Sequence, residues 1–477
     1  MKGQKREKRR AAWIRLLRTV VSAVFISLLP STVAAAVVTD VPAAADRIVL
    51  DAQAAEQAQA AGELSGTLQA HIDRASEGAV IQVPPGTYEG PIVIDKPLTL
   101  EASPQGRVTL AHSGDGPAVT ILAERVRFAG FTILDEAAKE SPSVLVQGSG
   151  ATIENLHVVT GSHGIQLRDA HDGELRGNVV EWSARHIREV SEKGNGIDLY
   201  ESHRVRIIGN TIKQVYDGIY LENSDDTVVE GNRIEHSRYG VHCMYTRGTV
   251  VRGNTGEMNI TGAMVMSVYD ARVENNTFLK QSENVHSQGI LLYDVHQTAV
   301  TGNRVAGNRV GLYVEQSENN RLEHNTVTEN FIGIQLLDSS RNTIAGNRFA
   351  GNVADALTQR SADNQMDGNY WESFSGIDAD GDGYSDVSHE INPFFQSVIR
   401  NRPVFQIFFE TPGILFLETV FESNRSEWAV DRAPLMEPPD AMVDESGGES
   451  GYSTGIAGLL LAAASTLIIF AFGRRSG

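Results

Sequence analysis

The sequence is poor in cysteine and in positive charge. Its 477 residues include one cysteine, Cys243, which excludes an intramolecular disulfide and a thiolate-rich zinc or iron–sulfur site. The 41 lysines and arginines are outnumbered by 60 acidic residues, so the formal net charge is −19. This balance argues against a protein that binds the nucleic-acid backbone, because that function needs a basic surface.

The N-terminal segment 1–36 has the pattern of a secretory signal. Residues 1–18 carry eight basic side chains and one acidic one, and an apolar run from Thr19 to Val38 follows, with the small residues Ala34–Ala36 at its exit. We predict a signal peptide over 1–36, although an uncleaved anchor has a similar pattern. Removal of this segment would leave an exported chain with a net charge of −26.

The C-terminal end contains a second apolar segment. The stretch Gly455–Phe472 carries no charged side chain and is followed by Arg474 and Arg475. Its length predicts a transmembrane helix over 455–473, and the arginines would place the C-terminus in the cytoplasm. A sorting signal that is removed after export is the alternative.

Between these ends the chain is a repeat. A Gly-Asn dipeptide or a close relative recurs at a constant separation of 22, interrupted once by 32 and once by 27. The asparagines are Asn178, Asn210, Asn232, Asn254, Asn276, Asn303, Asn325, Asn347 and Asn369. A second series of glycines repeats the same separations, at Gly164, Gly196, Gly218, Gly240, Gly262, Gly289, Gly311 and Gly333. Fixed periodicity of this kind indicates a solenoid.

The repeat unit predicts an all-β fold. Each glycine of the second series is followed by alternating apolar residues, which is typical of a half-buried strand. A repeat of this length, divided into three short strands, matches one turn of a right-handed parallel β-helix of the pectin-lyase-like kind. Glycine and asparagine would supply the left-handed conformations at its corners.

We therefore predict a β-helix over 63–375, with a helix near Thr67–Ala75 covering its first turn. The remaining boundaries are a linker over 37–62, an acidic loop with a capping extension over 376–446, and a linker over 447–454.

The outward positions of the strand after each second-series glycine form two columns. One column places His242 beside Met264, and the other places Met244 beside Met266. Thioether and imidazole ligands without thiolates favour Cu(I). We predict a copper site at these four residues, with Met258 and Glu222 as secondary candidates. The alternative is that these methionines only fill a packing contact.

A dense group of carboxylates follows the repeats. Asp378, Asp380, Asp382 and Asp386 occupy positions 1, 3, 5 and 9 of a loop with glycine at position 6, which resembles the beginning of an EF-hand loop. We predict a structural Ca²⁺ site here. The twelfth position is His389 rather than a carboxylate, so a complete EF-hand is not predicted, and a solvated acidic turn is the alternative.

Two other functional classes fit a β-helix. Asp198, Asp217 and Glu222 could form the carboxylate cluster of a polysaccharide lyase or epimerase, but an acidic surface repels uronate chains. A surface-anchored β-helical binding module is the third possibility.

Five stretches of the sequence carry a resemblance to known proteins. They are the opening GAVIQVPPGTYEGPIVIDKPLTLEA, and YGVHCMYT (239–246), GAMVMSVYDARVENN (262–276), GNYWESFSGIDADGDGYSDV (368–387) and DRAPLM (431–436). Together they resemble the NosD family, the β-helical maturation proteins of nitrous oxide reductase. The resemblance covers most of residues 63–436.

The resemblance implies a periplasmic protein that is not an enzyme. It implies an ABC transporter with an ATPase subunit and a membrane subunit as partners, a lipoprotein chaperone as the copper source, and nitrous oxide reductase as the recipient. His242, Met244, Met264 and Met266 lie within the family-like turns. Cys243 departs from the family pattern, which usually has an aromatic residue there, and the segment Gly455–Phe472 is not a regular feature of the family.

Overall fold

The computed structural model describes residues 47–49, 64–281, 287–391, 411, 413, 416–417, 420 and 428–439. The predicted signal peptide, the transmembrane segment and most of the capping extension lie outside these residues. Within the described ranges, no helix has the length and apolar character that crossing a membrane demands.

Three parallel sheets run along the solenoid, and the chain visits them in the order A, B, C in each turn. Sheet A consists of β1 (Arg47–Val49), β2 (Val80–Val83), β5 (Thr99–Ala102), β8 (Arg127–Ala129), β11 (Thr152–Glu154), β14 (Glu174–Arg176), β17 (Arg206–Ile208), β20 (Val228–Glu230), β23 (Val250–Arg252), β26 (Arg272–Glu274), β29 (Ala299–Thr301), β32 (Arg321–Glu323) and β35 (Thr343–Ala345).

Sheet B consists of β3 (Gly86–Glu89), β6 (Val108–Ala111), β9 (Thr132–Asp135), β12 (His157–Thr160), β15 (Val179–Trp182), β18 (Thr211–Lys213), β21 (Arg233–Glu235), β24 (Thr255–Glu257), β27 (Thr277–Leu279), β30 (Arg304–Ala306), β33 (Thr326–Thr328), β36 (Arg348–Ala350) and β38 (Tyr370–Trp371).

Sheet C consists of β4 (Ile92–Ile94), β7 (Val119–Ile121), β10 (Val144–Val146), β13 (Ile165–Arg168), β16 (Ile197–Tyr200), β19 (Asp217–Glu222), β22 (Tyr239–Met244), β25 (Thr261–Tyr269), β28 (Gln288–His296), β31 (Val310–Glu315), β34 (Ile332–Leu337) and β37 (Ala354–Gln359). This arrangement confirms the predicted right-handed parallel β-helix, in which each sequence repeat forms one turn.

The start of the solenoid is covered by a helix. Helix α1 (Leu64–Arg74) packs against β3 and β4 and buries Leu68 and Ile72 in the core. Strand β1 pairs with β2, although it lies in the stretch predicted as a linker. A short 3-10 turn spans Val190–Glu192 in the longer of the two insertions. At the far end, β39 (His389–Ile391) pairs antiparallel with β40 (Ala429–Asp431).

The repeated asparagines stabilise the turns through their side chains. Asn232 donates from its side-chain amide to Asn254 Oδ1 at 2.9 Å, and Asn254 donates in the same way to Asn276 Oδ1 at 2.9 Å. These residues are buried, so each bond satisfies a polar group that would otherwise be costly to bury. The left-handed conformation predicted for these asparagines belongs instead to the preceding residue, such as Gly231 or Gly253.

A different physical reason explains why glycine is required at the positions of the second series. A Cβ atom on Gly240 would lie 2.4 Å from the carbonyl oxygen of Gly262 in the next turn. Successive turns approach too closely here for any side chain. These glycines fix the point where each turn enters sheet C, and they align the positions that follow.

Candidate metal site on the outer face of sheet C

The outer face of sheet C carries the predicted columns in the predicted register. His242 on β22 pairs with Met264 on β25, and Met244 pairs with Met266. The same register places Cys243 in the core, where it is 1% exposed. Strand β19 pairs with β22 on one side and β28 pairs with β25 on the other, so the backbone that carries the four side chains is hydrogen-bonded on both sides.

His242 is the most constrained member of this group. Its side chain is buried, and its Nδ1 lies 2.9 Å from Asp217 Oδ2. Its Nε2 is also buried and has no hydrogen-bond partner among the described residues. Met264, its neighbour on the next strand, is only 9% exposed. The site therefore presents one buried nitrogen without a partner in register with a buried thioether.

Asp217 is held in turn by Arg238. Arg238 donates from Nε to Oδ1 at 2.7 Å and from Nη2 to Oδ2 at 2.6 Å. Burial works against the negative charge of Asp217, but the hydrogen bonds from His242 and Arg238 outweigh it, so the pKa of Asp217 is lower than its ordinary value. The carboxylate is therefore ionised at neutral pH and accepts hydrogen bonds.

Aromatic rings enclose the imidazole of His242. The ring centroids of Tyr220 and Tyr239 lie 4.9 Å and 5.0 Å from its centroid. The Tyr220 hydroxyl donates to Glu222 Oε2 at 2.8 Å and lies 3.9 Å from Met244 Sδ. These contacts restrict the ring of His242 and connect the two columns.

The two secondary candidates, Glu222 and Met258, lie in different parts of the turn. Glu222 pairs with Met244 across β19 and β22, so it belongs to the same outer face. Met258 lies at the corner between β24 and β25, in a left-handed conformation with φ 57°. Glu222 therefore lies on the outer face of sheet C beside the four primary candidates, whereas Met258 does not.

The three carboxylates considered for a polysaccharide enzyme are engaged in separate contacts. Asp198 accepts from Arg168 at 2.7 Å and from Asn195 at 2.8 Å. Asp217 is bound by Arg238 and His242, and Glu222 accepts from the Tyr220 hydroxyl. Burial, together with the bond to Glu222, raises the pKa of Tyr220 far above its ordinary value, so this tyrosine stays protonated at neutral pH and is not available as a general base.

The aspartate loop brings three of its four predicted ligands together. One carboxylate oxygen from each of Asp378, Asp380 and Asp382 lies within 4.8 Å of the others. Backbone N–H bonds from Gly383 and Gly381 lower the pKa of Asp378. Asp386 is not part of this group, and its Oδ2 accepts from the backbone N–H of Ala379 at 2.9 Å. Calcium binding at this loop stays a prediction.

Known proteins share sequence with most of this chain. The family model described as periplasmic copper-binding protein (NosD) matches residues 183–376. A protein named probable ABC transporter binding protein NosD, from Stutzerimonas stutzeri, is 28% identical over 386 residues, covering 75% of this chain and 87% of the relative. The chain is therefore similar to the NosD family over these residues. The residues matched by the family model include His242, Met244, Met264 and Met266 on β22 and β25.

Solved structures that align with this chain include carbohydrate-active β-helices. The mannuronan C-5 epimerase AlgE6 A-module from Azotobacter vinelandii aligns with a TM-score of 0.45 at 15% identity, over 62% of this chain and 93% of the module. A mannuronic acid specific family 6 polysaccharide lyase from human gut microbiota aligns with a TM-score of 0.44 at 12% identity, over 67% of this chain and 82% of the lyase. The similarity is one of fold alone.

The sequence pattern did not identify the contacts of Asp217 with His242 and Arg238, because it assigned Asp217 only to a catalytic cluster. A usable signal existed, since the residues before the second-series glycines form a third column, which lies on strands of sheet C from Asp217 onwards. Its members are His163, Asn195, Asp217, Tyr239, Thr261, Gln288, Val310 and Ile332. Asp217 is the single carboxylate of that column and lies one turn before His242.

Proposed function

We propose that this chain is a copper-handling accessory protein rather than an enzyme. It would act in the periplasm with an ABC transporter and serve the maturation of the copper centre of nitrous oxide reductase. Copper is the cargo in this proposal, carried as Cu(I) by His242, Met244, Met264 and Met266. The family description, which names a periplasmic copper-binding protein, supports the cargo and the compartment.

The observation that carries the proposal is the buried Nε2 of His242 in register with Met264. A buried polar atom without a partner is uncommon in proteins, because it loses the hydrogen bonds that water would provide. A bound cation would satisfy the lone pair of a neutral imidazole. The neighbouring sulfur atoms favour a soft cation over the hard ions that prefer oxygen.

The rest of the patch fits the same cargo. Met244 and Met266 are half-buried and pair beside His242 and Met264. Thioethers are adaptable ligands, because methionine has three rotatable bonds and a polarisable sulfur. Glu222 offers a hard oxygen at the edge of this patch, so we keep it as a secondary candidate together with Met258 at the corner.

The proposed partners follow the family. The named relative is an ABC transporter binding protein, which supports an association with the ATPase and membrane subunits of a transporter. A lipoprotein chaperone would supply copper, and nitrous oxide reductase would receive it. The C-terminal segment Gly455–Phe472 would attach the chain to the inner membrane.

A carbohydrate-active function is less well supported by the site. Its three carboxylates have separate partners, and Tyr220 has a raised pKa. Uronate released from alginate or pectin by the purified chain would favour that function over copper handling.

The direct test is a Cu(I) titration under reducing conditions in competition with a chelator of known affinity. We compare the native chain with a quadruple variant, His242→Gln with Met244→Leu, Met264→Leu and Met266→Leu. Met366→Leu is the matched control, because Met366 is a buried core methionine away from the patch. The quadruple variant should lose tight binding while the control keeps it; equal affinities in all three proteins would refute the site.

The cellular test is deletion of the gene. Nitrous oxide reductase isolated from the deletion strain should lack copper, and the native gene should restore it while the quadruple variant should not. A full copper complement in the deletion strain would refute the proposed role in maturation.

A further inference from the structure

We infer that Asp217, itself held by Arg238, is a positioning residue that fixes the tautomer of His242. In this arrangement the ring hydrogen lies on Nδ1, and the lone pair of Nε2 is left for a soft cation. A role of this arrangement in metal binding rests on the proposed copper function. The tautomer itself can be measured in the protein without copper.

The hydrogen bond between Asp217 and His242 has a defined direction. Both oxygens of Asp217 already accept N–H bonds from Arg238, which has only donors to offer. Both carboxylate oxygens of Asp217 therefore act as hydrogen-bond acceptors. The 2.9 Å contact with His242 Nδ1 requires that this nitrogen carry the hydrogen.

The other ring nitrogen of His242 has no such partner among the described residues. Nε2 of His242 is buried, and the described residues offer it no acceptor. A hydrogen on Nε2 would be a buried donor without a partner, which costs about 1–3 kcal/mol. The neutral ring with hydrogen on Nδ1 avoids that cost. The rings of Tyr220 and Tyr239 restrict rotation of the imidazole that would exchange its two nitrogens.

This tautomer leaves Nε2 of His242 able to bind a metal. Imidazole binds a metal through an unprotonated nitrogen, and an outer carboxylate on the other nitrogen fixes the ring and raises its basicity. Loss of such a partner typically weakens metal affinity about 10- to 100-fold. Asp217 is therefore expected to influence copper affinity although it lies on the side of His242 away from Nε2.

The experiment measures the tautomer directly by NMR of the full chain labelled with ¹⁵N-histidine, without copper and at pH 8. Long-range ¹H–¹⁵N spectra distinguish a protonated from an unprotonated ring nitrogen, and a His242→Gln spectrum identifies the signals of His242. The native chain should show hydrogen on Nδ1 and none on Nε2. Hydrogen on Nε2 of the native chain, in either the neutral or the doubly protonated ring, would overturn the inference.

The variant Asp217→Ala removes the acceptor, so a substantial fraction of His242 should move its hydrogen to Nε2. Cu(I) affinity should fall about 10- to 100-fold. Asp198→Ala is the matched control, because Asp198 is also buried and also paired with an arginine, but does not bond to His242. The control should leave the tautomer and the affinity unchanged. An unchanged tautomer in Asp217→Ala would refute the role of Asp217.

Failure of the proposed copper site and failure of the positioning role of Asp217 would give different results. If the native chain shows the predicted tautomer but Cu(I) leaves the Nε2 signal unmoved, His242 is not a ligand and the proposed copper site is refuted. If Cu(I) moves that signal while Asp217→Ala keeps both tautomer and affinity, the copper site stands and the positioning role is refuted. The spectrum of the native chain tests the tautomer even if the alanine variant does not fold.

Discussion

Replacement of Asp431 by alanine should open the last turn of the solenoid and leave the central turns intact. The carboxylate of Asp431 is fully buried. It accepts from the backbone N–H of Gly368 at 3.0 Å, from that of Asn369 at 2.9 Å, and from Trp371 Nε1 at 2.8 Å. Asn369 is the last member of the asparagine ladder, so Asp431 supplies the acceptor that a further turn would have provided.

The magnitude follows from these three bonds. A hydrogen bond to a charged group contributes about 1.5–3 kcal/mol, and a buried donor left without a partner costs about 1–3 kcal/mol. Water would reach part of the site once the terminal segment moves, so we expect a net loss of about 3–5 kcal/mol rather than the full sum. Each turn of a solenoid contacts only its neighbours, so the loss should be concentrated at the end.

The assay is hydrogen–deuterium exchange of the full chain, followed on peptides that cover residues 365–372. A loss of about 3 kcal/mol should accelerate exchange of these amides by about 100-fold, because about 1.4 kcal/mol corresponds to a factor of ten. Glu437→Gln is the control, since it removes one negative charge from an exposed position of the same segment. Acceleration of less than about threefold, or equal acceleration in every turn, would refute the reasoning.

Three other predictions concern the ladder, the thiol and the aspartate loop. Asn254→Asp places a buried carboxylate against the Val229 carbonyl and should lower the free energy of unfolding by about 3–5 kcal/mol in urea denaturation, whereas Asn275→Asp, an exposed neighbouring position, should be nearly neutral. Burial raises the pKa of Cys243 to about 12, so a thiol reagent at pH 8 should react with the unfolded chain but hardly with the native one, and rapid native reaction would contradict this. Ca²⁺ added to the chelated protein should raise its melting temperature, and the combined change of Asp378 and Asp380 to asparagine should abolish that rise; equal melting curves with and without Ca²⁺ would speak against the site.

The repeat makes the fold and the register predictable. Because the period is fixed, the neighbour of each outward residue follows by counting, and His242 is correctly placed beside Met264. The insertions do not disturb this, because both the asparagine and the glycine series continue on either side of them. The inward position of Cys243 follows from the same alternation.

The parts that could not be predicted depend on contacts between different columns or distant segments. Asp217 and His242 are separated by 25 positions and occupy different columns, so counting by the repeat places them on neighbouring strands but does not show that their side chains meet. Asp431 reaches the last turn from 62 positions beyond Asn369. The pairing of β1 with β2 escapes prediction because Arg47–Val49 precedes the first recognisable repeat.

The proposed copper site, formed by His242, Met244, Met264 and Met266, combines one fixed side chain with three adaptable ones, and this bears on how a cargo would be held and passed on. His242 is restrained by Asp217 and by two tyrosine rings, and the backbone beneath it is paired on both sides. The methionines can change rotamer at little cost, because their side chains are unbranched and flexible. Met264 is buried while Met266 is half-buried, so the methionine side chains differ in their access to solvent. On the proposed function, a copper ion would be retained by the rigid nitrogen and exchanged through the adaptable sulfur atoms, so transfer to a partner would require no rearrangement of the solenoid.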